Sequence, residues 1–171
     1  MQQSKILLKL VDAAVLPALL LAAVKIAASL FALYLLKIPF SFNLIFGFPT
    51  IAFADPSDFL KINNFSDWAS LIFLSLILSL IILRAYFFNN SHISPNLTIK
   101  ILDLNLSKLV DNSFNLFSQT IIWLSFLWLT GLTIFVSFFL QTASLGLSLT
   151  SFALCLIFTF LLILVIEREV A

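Results

Sequence analysis

Four long apolar stretches, separated by polar segments, dominate the pattern of this chain. They run over about residues 11–38, 68–88, 118–141 and 147–166, and each reaches the roughly 20 residues that an α-helix needs to cross the hydrocarbon core of a bilayer. Strands of a membrane barrel alternate apolar and polar side chains over about ten residues, whereas these stretches stay apolar for about twice that length. The pattern predicts an all-α membrane protein, a bundle of four transmembrane helices in a single domain.

Two of the connecting segments have a clear character. The third and fourth stretches are joined by the short link 142–146, which predicts a tight antiparallel helical hairpin. In the segment 89–117, apolar residues recur at helical spacing from Leu102 to Phe117. This spacing predicts an interfacial amphipathic helix on the surface of the membrane.

The segment 39–67 is an unusually apolar loop that contains seven of the 20 Phe residues. Aromatic side chains favour the membrane interface, so the segment predicts either a cover over the bundle or a re-entrant or partner-binding loop. Asp55 followed by Pro predicts the start of a short helix over about 56–62. Ser66 then has the side chain of an N-cap for a separate helix that opens at Trp68.

The basic residues predict the orientation of the four helices. Cytoplasmic segments carry the excess of Lys and Arg in polytopic membrane proteins. Two lysines, Lys37 and Lys61, fall on the side of the 39–67 loop. Six fall on the other side, which indicates a multi-pass protein of the plasma or inner membrane with both termini in the cytoplasm: Lys5, Lys9, Arg84, Lys100, Lys108 and Arg168.

Composition agrees with this prediction and narrows the chemistry. The chain is 62% hydrophobic and 10% charged, whereas soluble domains are about half apolar and about a quarter charged. Its net charge of +1 gives no indication of a nucleic-acid partner. With one His, His92, and one Cys, Cys155, it has no short nucleophile–base motif, metal-ligand cluster or cofactor motif. We therefore expect no enzyme activity, no metal and no cofactor.

One ionisable residue, Lys25, falls near the centre of the first apolar stretch. A charged side chain there costs on the order of 3 kcal/mol and is a functional hypothesis by default. Lys25 shares a helix face with small residues, which predicts that it faces another helix. Counted from the helix ends, polar side chains of the other helices are expected at a depth similar to that of Lys25. The candidate intramembrane polar site consists of Lys25, Ser29, Ser79, Thr130, Thr133 and Cys155.

The sequence indicates no carboxylate within the chain at that depth. Asp12, Asp67 and Glu167 are all expected at membrane edges. Lys25 is then neutral, solvated by hydroxyls or trapped water, bound to an anionic ligand, or paired with a carboxylate that a protein partner or a second copy in a homo-oligomer supplies.

These features favour a non-catalytic accessory, assembly or scaffold subunit of a membrane complex. The alternative is a small transporter or channel in which Lys25 lines a polar path. The two hypotheses differ in what they require around Lys25: the transporter or channel needs a water-accessible cavity that reaches Lys25, and a dry, tightly packed bundle would count against it. A membrane enzyme acting on lipid is the least favoured hypothesis because no cluster of acids, His or Cys falls near an interface.

Overall fold

The computed structural model of the chain describes residues 2–45, 48–53, 55–87 and 113–170. In chain order it contains helix α1 (Gln2–Leu36), strands β1 (Phe40–Ile45) and β2 (Phe48–Phe53), and helices α2 (Pro56–Phe87), α3 (Ser113–Phe139) and α4 (Leu145–Val170). All four helices are long and apolar enough to cross a membrane. The prediction of four such helices is confirmed. The predicted interfacial helix lies outside the described residues, except for 113–117, which begin α3.

Helix α2 differs most from the sequence prediction. Asp55 begins it as predicted, because its carboxylate accepts a hydrogen bond from the backbone N–H of Ser57 at 2.9 Å, and this bond lowers the pKa of Asp55 below its ordinary value. The helix then continues to Phe87 without a break. The prediction of a separate helix capped by Ser66 is wrong, because the Ser66 hydroxyl donates to the carbonyl of Asn63 inside the helix.

The segment between α1 and α2 forms an antiparallel β-hairpin, which we did not predict. Phe40 pairs with Phe53 at its open end and Ile45 pairs with Phe48 near its turn. Apolar and polar residues alternate from Phe40 to Leu44, which is the sequence pattern of a half-buried strand. Helix α1 ends just before the hairpin in a Schellman motif, with Lys37 in the left-handed region (φ 50°) and the Ile38 N–H bonded to the Leu33 carbonyl.

The buried apolar residues form two clusters instead of one continuous core. The larger cluster lies between α2, α3 and α4 and includes Leu71, Leu74 and Leu127, which are all fully buried. The smaller cluster joins the end of α1 to the start of α2 through Leu33 and Ile62, with Phe53 of β2 packed against it. Along the buried face of α2, the residues between the two clusters are polar: Ser66, Asp67 and Ser70.

Helices α3 and α4 approach each other closely at Gly131. A Cβ atom at this position would lie 3.0 Å from the Sγ atom of Cys155, which is shorter than ordinary van der Waals contact. The Cys155 thiol in turn donates to the carbonyl of Leu127 at 3.6 Å. Cys155 is therefore a packing residue at the α3–α4 contact.

We expect Gly131→Ala to lower the free energy of unfolding by about 1–3 kcal/mol, because overpacking a close contact forces its neighbours apart. The measurement is reversible unfolding in mixed micelles, followed by tryptophan fluorescence. Cys155→Ala introduced into Gly131→Ala should recover part of the loss, since it removes the atom that the new methyl group meets. Equal losses for the single and double variants would show that this contact is not close.

Candidate functional site

The polar residues between the two apolar clusters form a connected hydrogen-bond network, which we call the polar joint: Lys25, Asn63, Ser66, Asp67 and Ser70. Its centre is an ion pair in which the Nζ atom of Lys25 lies 2.7 Å from the Oδ1 atom of Asp67. The other carboxylate oxygen of Asp67 accepts a hydrogen bond from the side-chain amide of Asn63 at 3.2 Å. Both oxygens of this carboxylate are thus satisfied by the chain itself.

The ion pair corrects the expectation that no carboxylate of this chain reaches Lys25. Asp67 was assigned to a membrane edge because the second helix was expected to begin at Trp68. Since α2 begins at Pro56, Asp67 lies eleven residues inside the helix. Lys25 likewise lies eleven residues before Leu36, the end of α1. The two antiparallel helices, joined by the hairpin, therefore bring these residues to the same level.

The two members of the pair have different surroundings. The side chain of Asp67 is 5% exposed, whereas that of Lys25 is 49% exposed. Burying a carboxylate is costly unless it is paired and hydrogen-bonded, and Lys25 and Asn63 provide this compensation. Asp67 is consequently the buried member of the pair, and Lys25 is the half-exposed member.

Asn63 of the polar joint and its neighbour Asn64 bind the link between α3 and α4. The side-chain amide of Asn63 donates to the backbone carbonyl of Thr142, and the side-chain oxygen of Asn64 accepts from the backbone N–H of Ser144. These bonds fix the link at the level of Asn63 and Asn64, about one helical turn from Asp67. The Ser144 hydroxyl accepts from the N–H of Leu147 and begins α4.

Two cavities adjoin the ion pair. The first, of about 150 Å³, lies on the side of α3 and is lined by Leu21, Lys25, Asp67, Ser70, Leu129, Thr130 and Thr133. The second, of about 250 Å³, lies on the side of the hairpin and is lined by Lys25, Ser29, Leu33, Phe53, Phe59, Ile62, Asn63 and Ser66. Lys25 is the residue that lines both.

The structure brings together four of the six candidate site residues. Thr130 and Thr133 share the first cavity with Lys25, and Ser29 shares the second. Ser79 lies twelve residues from Asp67 along α2, about 18 Å away, and lines a groove between α2 and α4 near Tyr86. Cys155 lines another cavity, of about 110 Å³, between α3 and α4. Ser79 is therefore not at the level of Lys25, whereas Cys155, which contacts Gly131 between Thr130 and Thr133, lies at a similar depth but in a different cavity.

We did not predict Asn63, Ser66, Asp67 and Ser70 as site residues. These four residues have the spacing i, i+3, i+4 and i+7, which places them on one face of a single helix. This spacing predicts a polar helix face only if one helix continues through residues 63–70. The absence of Pro and Gly between Pro56 and Phe87 indicates that one helix does continue.

Among the residues that the structure describes, no group of three or more His, Cys, Asp or Glu is arranged to hold a metal ion. The chemistry of the polar joint is therefore that of a single ammonium–carboxylate pair with hydroxyl and amide neighbours.

Comparison with known proteins adds no relative of this chain: no protein family, no curated protein and no solved structure matches it.

Proposed function

We propose that this chain is a non-catalytic subunit of a membrane complex, which spans the plasma or inner membrane four times with both termini in the cytoplasm. Four helices of sufficient length and apolarity support the membrane assignment, and the six-to-two distribution of basic residues supports the orientation. Its role is to assemble with or support other subunits through the part of the molecule beyond the polar joint.

The depth of the ion pair in the membrane follows from its distance to the opposite end of the bundle. At one end of the bundle, the guanidinium of Arg168 lies 4.0 Å from the centre of the Tyr86 ring and donates to the Tyr86 carbonyl, a combination typical of a membrane edge. Asp67 is nineteen residues before Tyr86 on the same helix, about 28 Å away. A hydrocarbon core is about 30 Å thick. Along α2, this separation favours a position for the Lys25–Asp67 pair at the outer edge of the hydrocarbon. The apolar candidate span of α1, Ala14–Leu36, is centred on Lys25, so about half of that span then lies beyond the hydrocarbon.

The outer segment, by which we mean residues 26–36 of α1, the hairpin and residues 56–66 of α2, lies on the outer side of the ion pair. From Lys25 to Leu36, α1 extends about 16 Å beyond the ion pair, whereas the headgroup layer on each side of a bilayer is only about 5–8 Å thick. The exposed side chains of this part of α1 are nevertheless large and apolar: Ile26, Leu30, Phe31, Tyr34, Leu35 and Leu36.

This exposed apolar surface is the observation that carries the proposal. Tyr34 is 83% exposed and Leu35 is 57% exposed. Large exposed apolar patches outside the hydrocarbon are typical of protein interfaces, and aromatic residues are enriched at the centres of such interfaces. A partner that covers the outer segment would remove these side chains from water.

The alternative function, a small transporter or channel, is favoured by the two cavities that adjoin Lys25. Below the polar joint, however, the core between the helices contains Leu71, Leu74, Leu78 and Leu127, whose side chains are fully buried. A polar path would have to pass these leucines to reach the groove at Ser79. Flux of protons or ions into liposomes that contain the purified protein would favour this alternative, and absence of flux would favour the subunit.

The proposal predicts that the protein, tagged and extracted from its native membrane in a mild detergent, retains a partner in a fixed ratio. The double variant Tyr34→Ser/Leu35→Ser should reduce recovery of that partner about five-fold or more, as expected for loss of anchoring side chains worth over about 1 kcal/mol. The matched control is Phe160→Ser/Ile163→Ser, which changes exposed apolar residues of α4. The same recovery for both double variants, or a wild-type protein that is strictly monomeric, would contradict the proposal.

A further inference from the structure

The hairpin between α1 and α2 has two outer edges that differ in their backbone hydrogen-bonding groups. In an antiparallel pair of strands, hydrogen-bonded and non-hydrogen-bonded residue pairs alternate. Pro49 of β2 lies opposite Leu44 of β1 and has no backbone N–H, so these two residues form a non-hydrogen-bonded pair. Phe42 and Ile51, two residues further along the ladder, form another such pair. The backbone polar groups of these four residues therefore point away from the opposite strand of the hairpin.

The edge of β1 can accept a third strand, whereas the edge of β2 is blocked. On β1, Phe42 and Leu44 each present a donor and an acceptor, and among the described residues no strand lies beyond β1. On β2, Pro49 presents no donor, and Pro is one of the residues that protect a free sheet edge. β2 is also the strand that packs on α2, where the rings of Phe53 and Phe59 are 6.1 Å apart.

The edge of β1 lacks the features that normally protect a free edge. No Lys, Arg, Asp or Glu occurs from Ile38 to Phe53, although exposed edge strands usually carry a charge, a Pro or a bulge. A hairpin of two strands is also only marginally stable in water on its own. Phe40, where β1 begins, is 43% exposed and follows the exposed apolar end of α1 at Leu35 and Leu36. The β1 edge is thus continuous along the chain with the surface proposed for a partner.

We propose that the partner of the outer segment contributes an extended strand of its own, which pairs with β1 along Phe42 and Leu44. The backbone groups of these two residues are about 6.8 Å apart along the strand, the spacing at which another extended backbone presents its donors and acceptors. Apolar residues at both positions favour uncharged, apolar residues opposite them. This inference rests on the proposed function and names the chemistry of the partner: an extended, uncharged segment bound by main-chain hydrogen bonds, as in other cases of strand addition.

The variants Phe42→Pro and Ile51→Pro provide a matched test. Each removes an N–H that the hairpin itself does not use, and only Phe42 lies on the β1 edge. The measurement is the amount of partner that the tagged full-length protein retains in mild detergent. Phe42→Pro should reduce it about five-fold or more, which corresponds to about 1 kcal/mol, because a carbonyl of the added strand loses its donor. Ile51→Pro should retain the partner as the wild type does, and so should Phe42→Val, which keeps the N–H.

Hydrogen exchange on the wild-type complex tests the same bonds without any variant. We expect the amide hydrogens of Phe42 and Leu44 to exchange at least ten-fold more slowly in the complex than in protein from which the partner has been removed, because hydrogen-bonded amides are protected. The amide of Ile51 should exchange at the same rate in both samples. Equal exchange of Phe42 and Leu44 in the two samples, or equal loss of the partner from Phe42→Pro and Ile51→Pro, would overturn the inference.

The added strand and the proposed function can fail separately. If Tyr34→Ser/Leu35→Ser loses the partner while Phe42→Pro retains it, the added strand is overturned and the proposed function stands. If Phe42→Pro loses the partner while Tyr34→Ser/Leu35→Ser retains it, the added strand is supported and the exposed face of α1 is not the contact.

Discussion

Lys25→Met is expected to lower the free energy of unfolding by about 3 kcal/mol, the lower end of the range for removing one partner of a buried ion pair, because this pair is part-buried. The reason is Asp67, whose side chain is 5% exposed and would keep only its bond from Asn63. Asp67→Asn should have a smaller effect, about 1–2 kcal/mol, because Lys25 is half exposed and can turn towards polar surroundings. Reversible unfolding in mixed micelles measures both changes.

The double variant Lys25→Met/Asp67→Leu distinguishes pairing from other causes of instability. Replacing a whole buried ion pair with apolar residues is often neutral or stabilising, so the double variant should be more stable than Lys25→Met alone. Lys61→Met serves as the control, since the pair of Lys61 with Asp58 is exposed and contributes little to stability. Strictly additive losses in the double variant would contradict the pairing.

Leu74→Ala is expected to lower the free energy of unfolding by about 2–5 kcal/mol, the range for cavities left in a well-packed core. Leu74 is fully buried in the cluster between α2, α3 and α4. Leu76 lies on the same helix and is 60% exposed, so Leu76→Ala should change stability by less than about 0.5 kcal/mol.

Unfolding in mixed micelles again provides the measurement, now for two leucines of one helix that differ only in the direction they face. Similar losses for the two variants would mean that α2 does not present Leu74 to α3 and α4. Such a result would also contradict the closely packed core that argues against a polar path through the bundle.

The number of helices could be predicted from the sequence because each apolar stretch is long enough to identify a helix by itself. The link 142–146 likewise determined that α3 and α4 are antiparallel neighbours, and the structure adds the bonds from Asn63 and Asn64 that hold it. Local features of this kind are readable from one stretch of chain, without knowledge of how the stretches are arranged.

The ion pair could not be predicted in this way because it depends on how far α1 and α2 are shifted along each other. A boundary set at Trp68 instead of Pro56 displaced α2 by twelve residues, about 18 Å, and moved Asp67 to a helix end. The hairpin was missed for a separate reason: the segment with alternating residues from Phe40 was considered only as a loop. Depth counted from an incorrect helix end also grouped Ser79 with Lys25.

Lys25 pairs with Asp67 of the same chain, which leaves the outer segment as the surface for a partner. Charge reversal in cis and in trans tests whether the two residues pair within one chain. Lys25→Glu and Asp67→Lys are made separately, together on one chain, and as two co-expressed single variants with different tags. The measurement is the amount of folded protein that a mild detergent extracts. We predict that the single variants lose folded protein, that the double variant recovers most of it, and that co-expression recovers none; recovery on co-expression alone would contradict the claim and assign the pair to two chains.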